Sequence, residues 1–154
     1  MGLKKKILFA LLIGFVAIQF IQPPGNKSDK VLPTDITNTV AVPNQVLNIL
    51  QNSCYDCHSN NTRYPWYSFI QPGAWLMASH IRRGKAMLNF SQFGDLSDRK
   101  QQSKLQGIVN QIKDNEMPLT SYTLLHRNAI LTAEQKAILI NWATSAKDSL
   151  SLKN

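Results

Sequence analysis

Two cysteines and a histidine fall within five consecutive residues, Cys54-Tyr55-Asp56-Cys57-His58, and these are the only cysteines in the 154-residue chain. C-x-x-C-H is the pattern of c-type haem attachment. Each thiol adds to one porphyrin vinyl group and leaves a thioether. The two vinyls stand on adjacent pyrroles, and side chains one helical turn apart reach both. The histidine directly after the second cysteine then lies under the iron as proximal ligand. Other uses of the pair fit less well. A disulfide closing so short a loop stabilises little, because the entropic gain grows with loop length. A thioredoxin-like redox pair needs a βαβ context. A zinc site needs about four ligands, and no second ligand pair is present.

The distal side of an iron held by His58 points to Met117. It lies in a break between helices in Glu116-Met117-Pro118-Leu119. A thioether that stays on iron needs a stiff, non-helical backbone, and Pro118 supplies one by fixing a dihedral and removing a backbone donor. Met77 and Met87 fall inside a helical pattern and read as core filler. His80 and His126 are alternative distal ligands, and an open or water-filled distal site is a further alternative. Tyr64, Trp66, Tyr67, Trp75, Tyr122 and Trp142 supply aromatic weight, mostly to the core, with one or two available to bond a propionate. Arg63, Arg82 and Arg83 could bond a propionate as well.

These residues need an all-α frame. Pro43 suits a first helical turn, and Val46, Leu50, Cys54 and Cys57 then recur on one apolar face. A second helix is predicted over about 73–88 and a third over about 96–113, the latter with Leu105, Ile108, Val109 and Ile112 as its stripe. Thr132 with Gln135 three residues on is a capping box opening the last helix. Its faces are marked by Ile138, Leu139, Trp142, Ala143 and Ala146. No strand, internal repeat, GxGxxG, Walker or zincin motif appears.

Ahead of this frame, Lys4, Lys5 and Lys6 precede an apolar run from Ile7 to Ile21 broken only by Gly14 and Gln19. A basic start and an apolar run are the layout of an export signal. No small-x-small cleavage site comes after it, which favours an uncleaved anchor over a cleaved signal peptide. The run is shorter than the roughly 20 residues of a comfortable span. The positive-inside rule keeps the lysines in the cytoplasm and exports the chain beyond Pro23. The organisation expected is residues 1–22 as signal or anchor, 23–42 as a Pro-, Asn- and Thr-rich linker that holds the domain off the membrane, and 43–150 as the haem domain. Formal net charge is +8, of which the three N-terminal lysines carry three, leaving +5. The remaining basic residues are scattered, with Arg82-Arg83-Lys85 the only tight group, so no nucleic-acid footprint is present.

The chain resembles the cytochrome-c-like haem-binding domain proteins common in Bacteroidetes-type bacteria. The resemblance runs from about Asn52 to Ala143. It is carried by Cys54-Tyr55-Asp56-Cys57-His58-Ser59-Asn60, Tyr64-Pro65-Trp66-Tyr67, Trp75-Leu76, His80-Ile81, Leu88-Asn89-Phe90-Ser91, Glu116-Met117-Pro118-Leu119, Ser121-Tyr122, Leu125-His126 and Trp142-Ala143. It implies a small cytochrome-c-like helical domain around one haem, behind an N-terminal signal or anchor. Met117 is then the natural sixth ligand by analogy with the Met-Pro loop of small cytochromes c.

The expectation is one haem c, covalent through Cys54 and Cys57, with iron on His58 and Met117. Such an iron has no free coordination site and passes an electron with little rearrangement. The protein would relay electrons between periplasmic redox proteins from the outer face of the inner membrane. A haem-based sensor or gas-binding module needs Met117 off the iron. A small peroxidase needs an open distal side with an acid–base histidine, His80 or His126.

Overall fold

The computed structural model describes residues 2–152, and among them it is helical without strands. In chain order the helices are α1 (Leu3–Ile18), α2 (Ile36–Thr39), α3 (Asn44–Ser53), α4 (Tyr55–His58), α5 (Gly73–Met87), α6 (Asp98–Lys113), α7 (Thr120–Thr123) and α8 (Ala133–Ser151). Short 3-10 turns lie at Trp66–Phe69, Phe90–Asp95 and Arg127–Ala129. Among the described residues, one bridge between extended segments joins Lys27 to Asn61.

The core is built where the apolar stripes of α6 and α8 meet. Leu105, Val109 and Ile112 of α6 face Leu139, Trp142, Ala143, Ala146 and Leu150 of α8. Both stripes follow the 3.6-residue period that puts i, i+4 and i+7 on one face. Helix α3 adds Val46, Ile49 and Leu50, and the 3-10 turn after α5 adds Phe90 and Phe93. Helix α8 starts at the expected capping box: the Gln135 amide donates to the Thr132 hydroxyl at 3.2 Å, and the Thr132 amide donates to the Gln135 side chain at 2.9 Å.

The segment expected to be a linker is ordered against the domain. Asp35 caps α2 by accepting from the Thr37 amide at 3.0 Å, and Ile36 is fully buried in the core. The Trp142 indole donates to the Ala41 carbonyl at 2.9 Å. Upstream, Asn26 donates from its amide side chain to the Ser59 carbonyl at 2.8 Å and the Thr62 hydroxyl at 2.9 Å, and its Oδ1 accepts from Lys85 at 2.6 Å. The segment has no helical stripe because it is held by polar bonds and one buried isoleucine.

Helix α1 buries no residue. It carries no charge after Lys6, yet its 16 residues reach only about 24 Å at 1.5 Å rise per residue. Among the described residues, no helix is long and apolar enough to cross a membrane.

Candidate haem site

The sequence pattern alone suggests one helix running through both cysteines, but the structure breaks it at Cys54. Helix α3 ends at Ser53, and Cys54 leaves helical geometry with φ −130° and ψ −41°. Its carbonyl then accepts from the amides of Cys57 at 3.2 Å and His58 at 3.0 Å. Cys54 therefore opens the single turn α4, and the second thiol and the imidazole lie on that turn. Both thiols are free. Burial, with Cys57 adding to it, pushes the Cys54 thiol up to about 12. Burial and the Asp56 carboxylate push Cys57 up to about 11. Both are thus protonated near neutral pH and are poor ionic metal ligands. Among the described residues, no three His, Cys, Asp or Glu side chains converge as a metal site requires.

His58 is oriented from behind. Its Nδ1 lies 3.0 Å from the Leu88 carbonyl oxygen. That oxygen can only accept, so Nδ1 carries the proton and the lone pair is left on Nε2. Burial lowers the His58 pKa, and the carbonyls of Leu88 and Gly84 oppose this only in part. The neutral imidazole is the ligating form. The ring packs against Phe90 with centroids 6.1 Å apart. Leu88 can offer its carbonyl because it leaves the helix in extended geometry, φ −156° and ψ 126°.

Helix α5 approaches this turn without a side chain in between. A Cβ on Gly84 would lie 2.5 Å from the Cys57 carbonyl oxygen and 3.1 Å from the Cys57 Cβ. Glycine is the one residue that permits this backbone contact. The contact fixes α5, and with it Leu88, relative to Cys57 and His58.

Asp56, between the two cysteines, is a functional candidate that spacing arguments do not reach. It is 4% exposed. Its Oδ1 accepts from the Arg63 amide at 3.0 Å and the Arg63 Nε at 3.3 Å, and its Oδ2 accepts from the Tyr122 hydroxyl at 2.6 Å. Its carbonyl accepts from Thr62 at 2.6 Å. One carboxylate thus ties α4 to the loop after it and to α7, sixty-six residues on. Burial, and then the bond to Asp56, raise the Tyr122 pKa far above its ordinary value. The only sequence signal is a charged residue beside an otherwise apolar helical face.

His126 stacks on Tyr122 with centroids 4.0 Å apart. Its Nε2 is 2.9 Å from the Tyr67 hydroxyl and its Nδ1 is 3.1 Å from the Tyr122 carbonyl. Both ring nitrogens are engaged. Asp56, Arg63, Tyr64, Tyr122 and His126 line an open cleft of about 220 Å³.

The remaining candidates lie outside that network. Met117 is half-buried between α6 and α7, in a bend where the amides of Glu116 and Met117 both donate to the Gln111 carbonyl, at 3.0 and 3.3 Å. Its peptide bond to Pro118 is cis. His80 is half-buried on α5. No hydrogen bond joins Met117 or His80 to His58 among the described residues.

Three expected core residues are outside the core, Trp75 among them at 40% exposed. Met87 is 68% exposed and Trp66 is 77% exposed. Helix α5 packs through Ala74 and Ile81, seven residues apart, and Leu88 continues that stripe. Met87 therefore lies about 100° round from it. Trp66 stands at the start of a 3-10 turn, edge-on to Tyr67 at 5.9 Å.

A protein-family model described as a haem-binding domain matches residues 13–145. No curated protein and no solved structure gave a match.

Proposed function

The chain belongs to the haem-binding domain family, and from that premise we propose that it is a mono-haem c-type cytochrome that carries electrons on the periplasmic side of the inner membrane. The observation that carries this is the His58 Nδ1 bond to the Leu88 carbonyl at 3.0 Å. It leaves Nε2 as a pre-oriented, neutral ligand one residue after a pair of free thiols.

The chain's own groups fit a covalent haem. Cys54 and Cys57 bracket one helical turn, the spacing that two neighbouring vinyls require. Their half-buried thiols stay protonated near neutral pH, and thioether bonds would leave the sulfurs uncharged in the same place. Gly84 keeps the Cys57 side of the turn narrow. The haem, when bound, supplies a one-electron couple. His58 would hold the iron, with Leu88 and Gly84 keeping its ring and turn in place, so little rearrangement of the chain would accompany electron transfer.

Met117 would be the second residue to hold the iron in this reading. Its bend is non-helical and pinned to Gln111, so the thioether is borne on a stiff backbone. His126 is disfavoured because both of its nitrogens already have partners. Helix α1 is the N-terminal membrane anchor, with Lys4, Lys5 and Lys6 at the cytoplasmic face. A helix with an apolar surface on all sides and no buried residue belongs in a non-aqueous setting.

The test is production with the cytochrome-c maturation machinery, then denaturing electrophoresis with haem staining and a ferric absorption spectrum. Haem should stay with the denatured chain, and Cys54→Ala with Cys57→Ala should abolish this. The far-red charge-transfer band of a methionine–iron bond should be present in the wild type and absent from Met117→Ala. Covalent haem surviving loss of both cysteines would refute the attachment. A wild type lacking the band would shift the sixth position to His80 or to an open site.

A further inference from the structure

The end of α1 is clamped to the domain rather than hinged from it. The Gln71 amide donates to the Gln19 Oε1 at 2.8 Å, and the Gln71 side chain donates to the Ile21 carbonyl at 2.8 Å. The Trp75 indole donates to the same carbonyl at 3.0 Å, and Gln22 donates to the Phe69 carbonyl at 3.1 Å. Gln71 is itself 1% exposed. The apolar helix thus runs into the loop that opens α5 with no free linker between them.

Around this clamp the surface is apolar and unpartnered. Phe20 is 84% exposed, Ile21 61%, Phe69 62%, Ile70 43%, Trp75 40% and Leu76 58%. They adjoin one another in sequence or through the clamp bonds, which gathers them at the foot of α1. Exposed apolar patches of this kind mark a docking surface. Arg83 is seven residues beyond Leu76 on α5 and is exposed, so it lies on the same helix face about 10 Å further on. Tryptophan and phenylalanine bordered by arginine suit the level where acyl chains meet headgroups.

The length of α1 favours a docked domain. At about 24 Å it falls short of a hydrocarbon core of about 30 Å. The shortfall is met if the clamped domain is drawn into the interface.

We infer that the face of Phe69, Ile70, Trp75 and Leu76 is a lipid-docking surface that seats the domain on the outer leaflet at the foot of α1. The inference rests on the reading of α1 as a retained anchor. The occupant is the lipid interface, because the patch lies at the foot of an apolar helix and α5 carries the exposed Arg83 about 10 Å beyond it. A domain seated this way presents one fixed face to its redox partners instead of tumbling on a tether.

The test uses the full, haem-loaded chain in phosphatidylethanolamine–phosphatidylglycerol vesicles doped with a lipid carrying a photoactivatable diazirine on its acyl chain. After illumination and tryptic digestion, lipid adducts should appear in α1 and in the peptide spanning residues 64–82. Phe69→Asp with Leu76→Asp should cut labelling of that peptide at least fivefold and leave α1 labelling unchanged, with far-UV circular dichroism confirming the fold. Adducts confined to α1 would overturn the docking surface and leave the anchor standing, as would labelling of 64–82 that ignores the double substitution. Absence of adducts from α1 would overturn the anchor reading and the docking surface with it.

Discussion

Substituting Gly84 by alanine tests whether α5 positions the turn that carries Cys57 and His58. The new Cβ would lie 2.5 Å from the Cys57 carbonyl oxygen, whereas real contacts begin at 3.0–3.4 Å. Because the obstacle is backbone, α5 must retreat by about 0.5–0.9 Å, and overpacking of this kind costs roughly 1–3 kcal/mol. Leu88 retreats with α5, and its 3.0 Å bond from His58 stretches towards the limit of a hydrogen bond, removing about 1 kcal/mol more. Better helix propensity returns roughly 0.5–1 kcal/mol. The net expectation is a loss of about 1–3 kcal/mol, or a fall in Tm of roughly 4–12 °C for a domain this size. Gly107 on α6 is the internal control, since a Cβ there meets nothing within 4 Å. Gly107→Ala should stabilise by roughly 0.5–1 kcal/mol from the same propensity gain. Thermal unfolding monitored by far-UV circular dichroism would separate the two. Equal or raised stability in both variants would refute the backbone contact and the positioning argument built on it.

Other consequences are as direct. Asp56→Asn removes a buried carboxylate that accepts from Arg63 and Tyr122, and urea unfolding should show a loss of roughly 2–3 kcal/mol. Tyr122→Phe leaves the ring stacked on His126 and should cost less, because the carboxylate keeps Arg63. In the haem-free chain, the thiols of Cys54 and Cys57 and the Tyr122 hydroxyl all have folded pKa values raised by burial. Their contribution is present in full below the unfolded thiol value of 9.0 and is lost as pH rises through about 11 and 12, so stability should decline on the alkaline side. Cys54→Ala should flatten that decline, and a wild-type midpoint that holds constant from the ordinary thiol value of 9.0 up to about 12 would contradict it. Thr132→Ala breaks the capping box and should lower stability by about 1 kcal/mol, read as a shifted urea midpoint.

Several elements are legible in the order of residues alone. The helix expected over about 73–88 is Gly73–Met87, and the one over about 96–113 is Asp98–Lys113. Their stripes repeat at the helical period and end at Pro or polar breaks, information local to each segment. The capping box at Thr132 is local in the same way. The Cys-x-x-Cys-His pattern is local as well, five consecutive residues read without reference to the fold.

Other features depend on groups distant in sequence. The Asp56 carboxylate meets Tyr122 across sixty-six residues, and the His58 tautomer is set by a carbonyl thirty residues away. Gly84 has meaning only against Cys57. The expected linker is ordered because Asn26, Ile36 and Ala41 each find partners far along the chain. Periodicity reports which face of an element is apolar, whereas a polar bond or a missing Cβ depends on what another element brings within about 3 Å. The all-α class, the main helices and the cysteine–histidine pattern are therefore written locally in the chain. How His58 is oriented, which carboxylate knits the site together, and how rigidly α1 is joined to the domain are set by packing between segments that the chain order keeps apart.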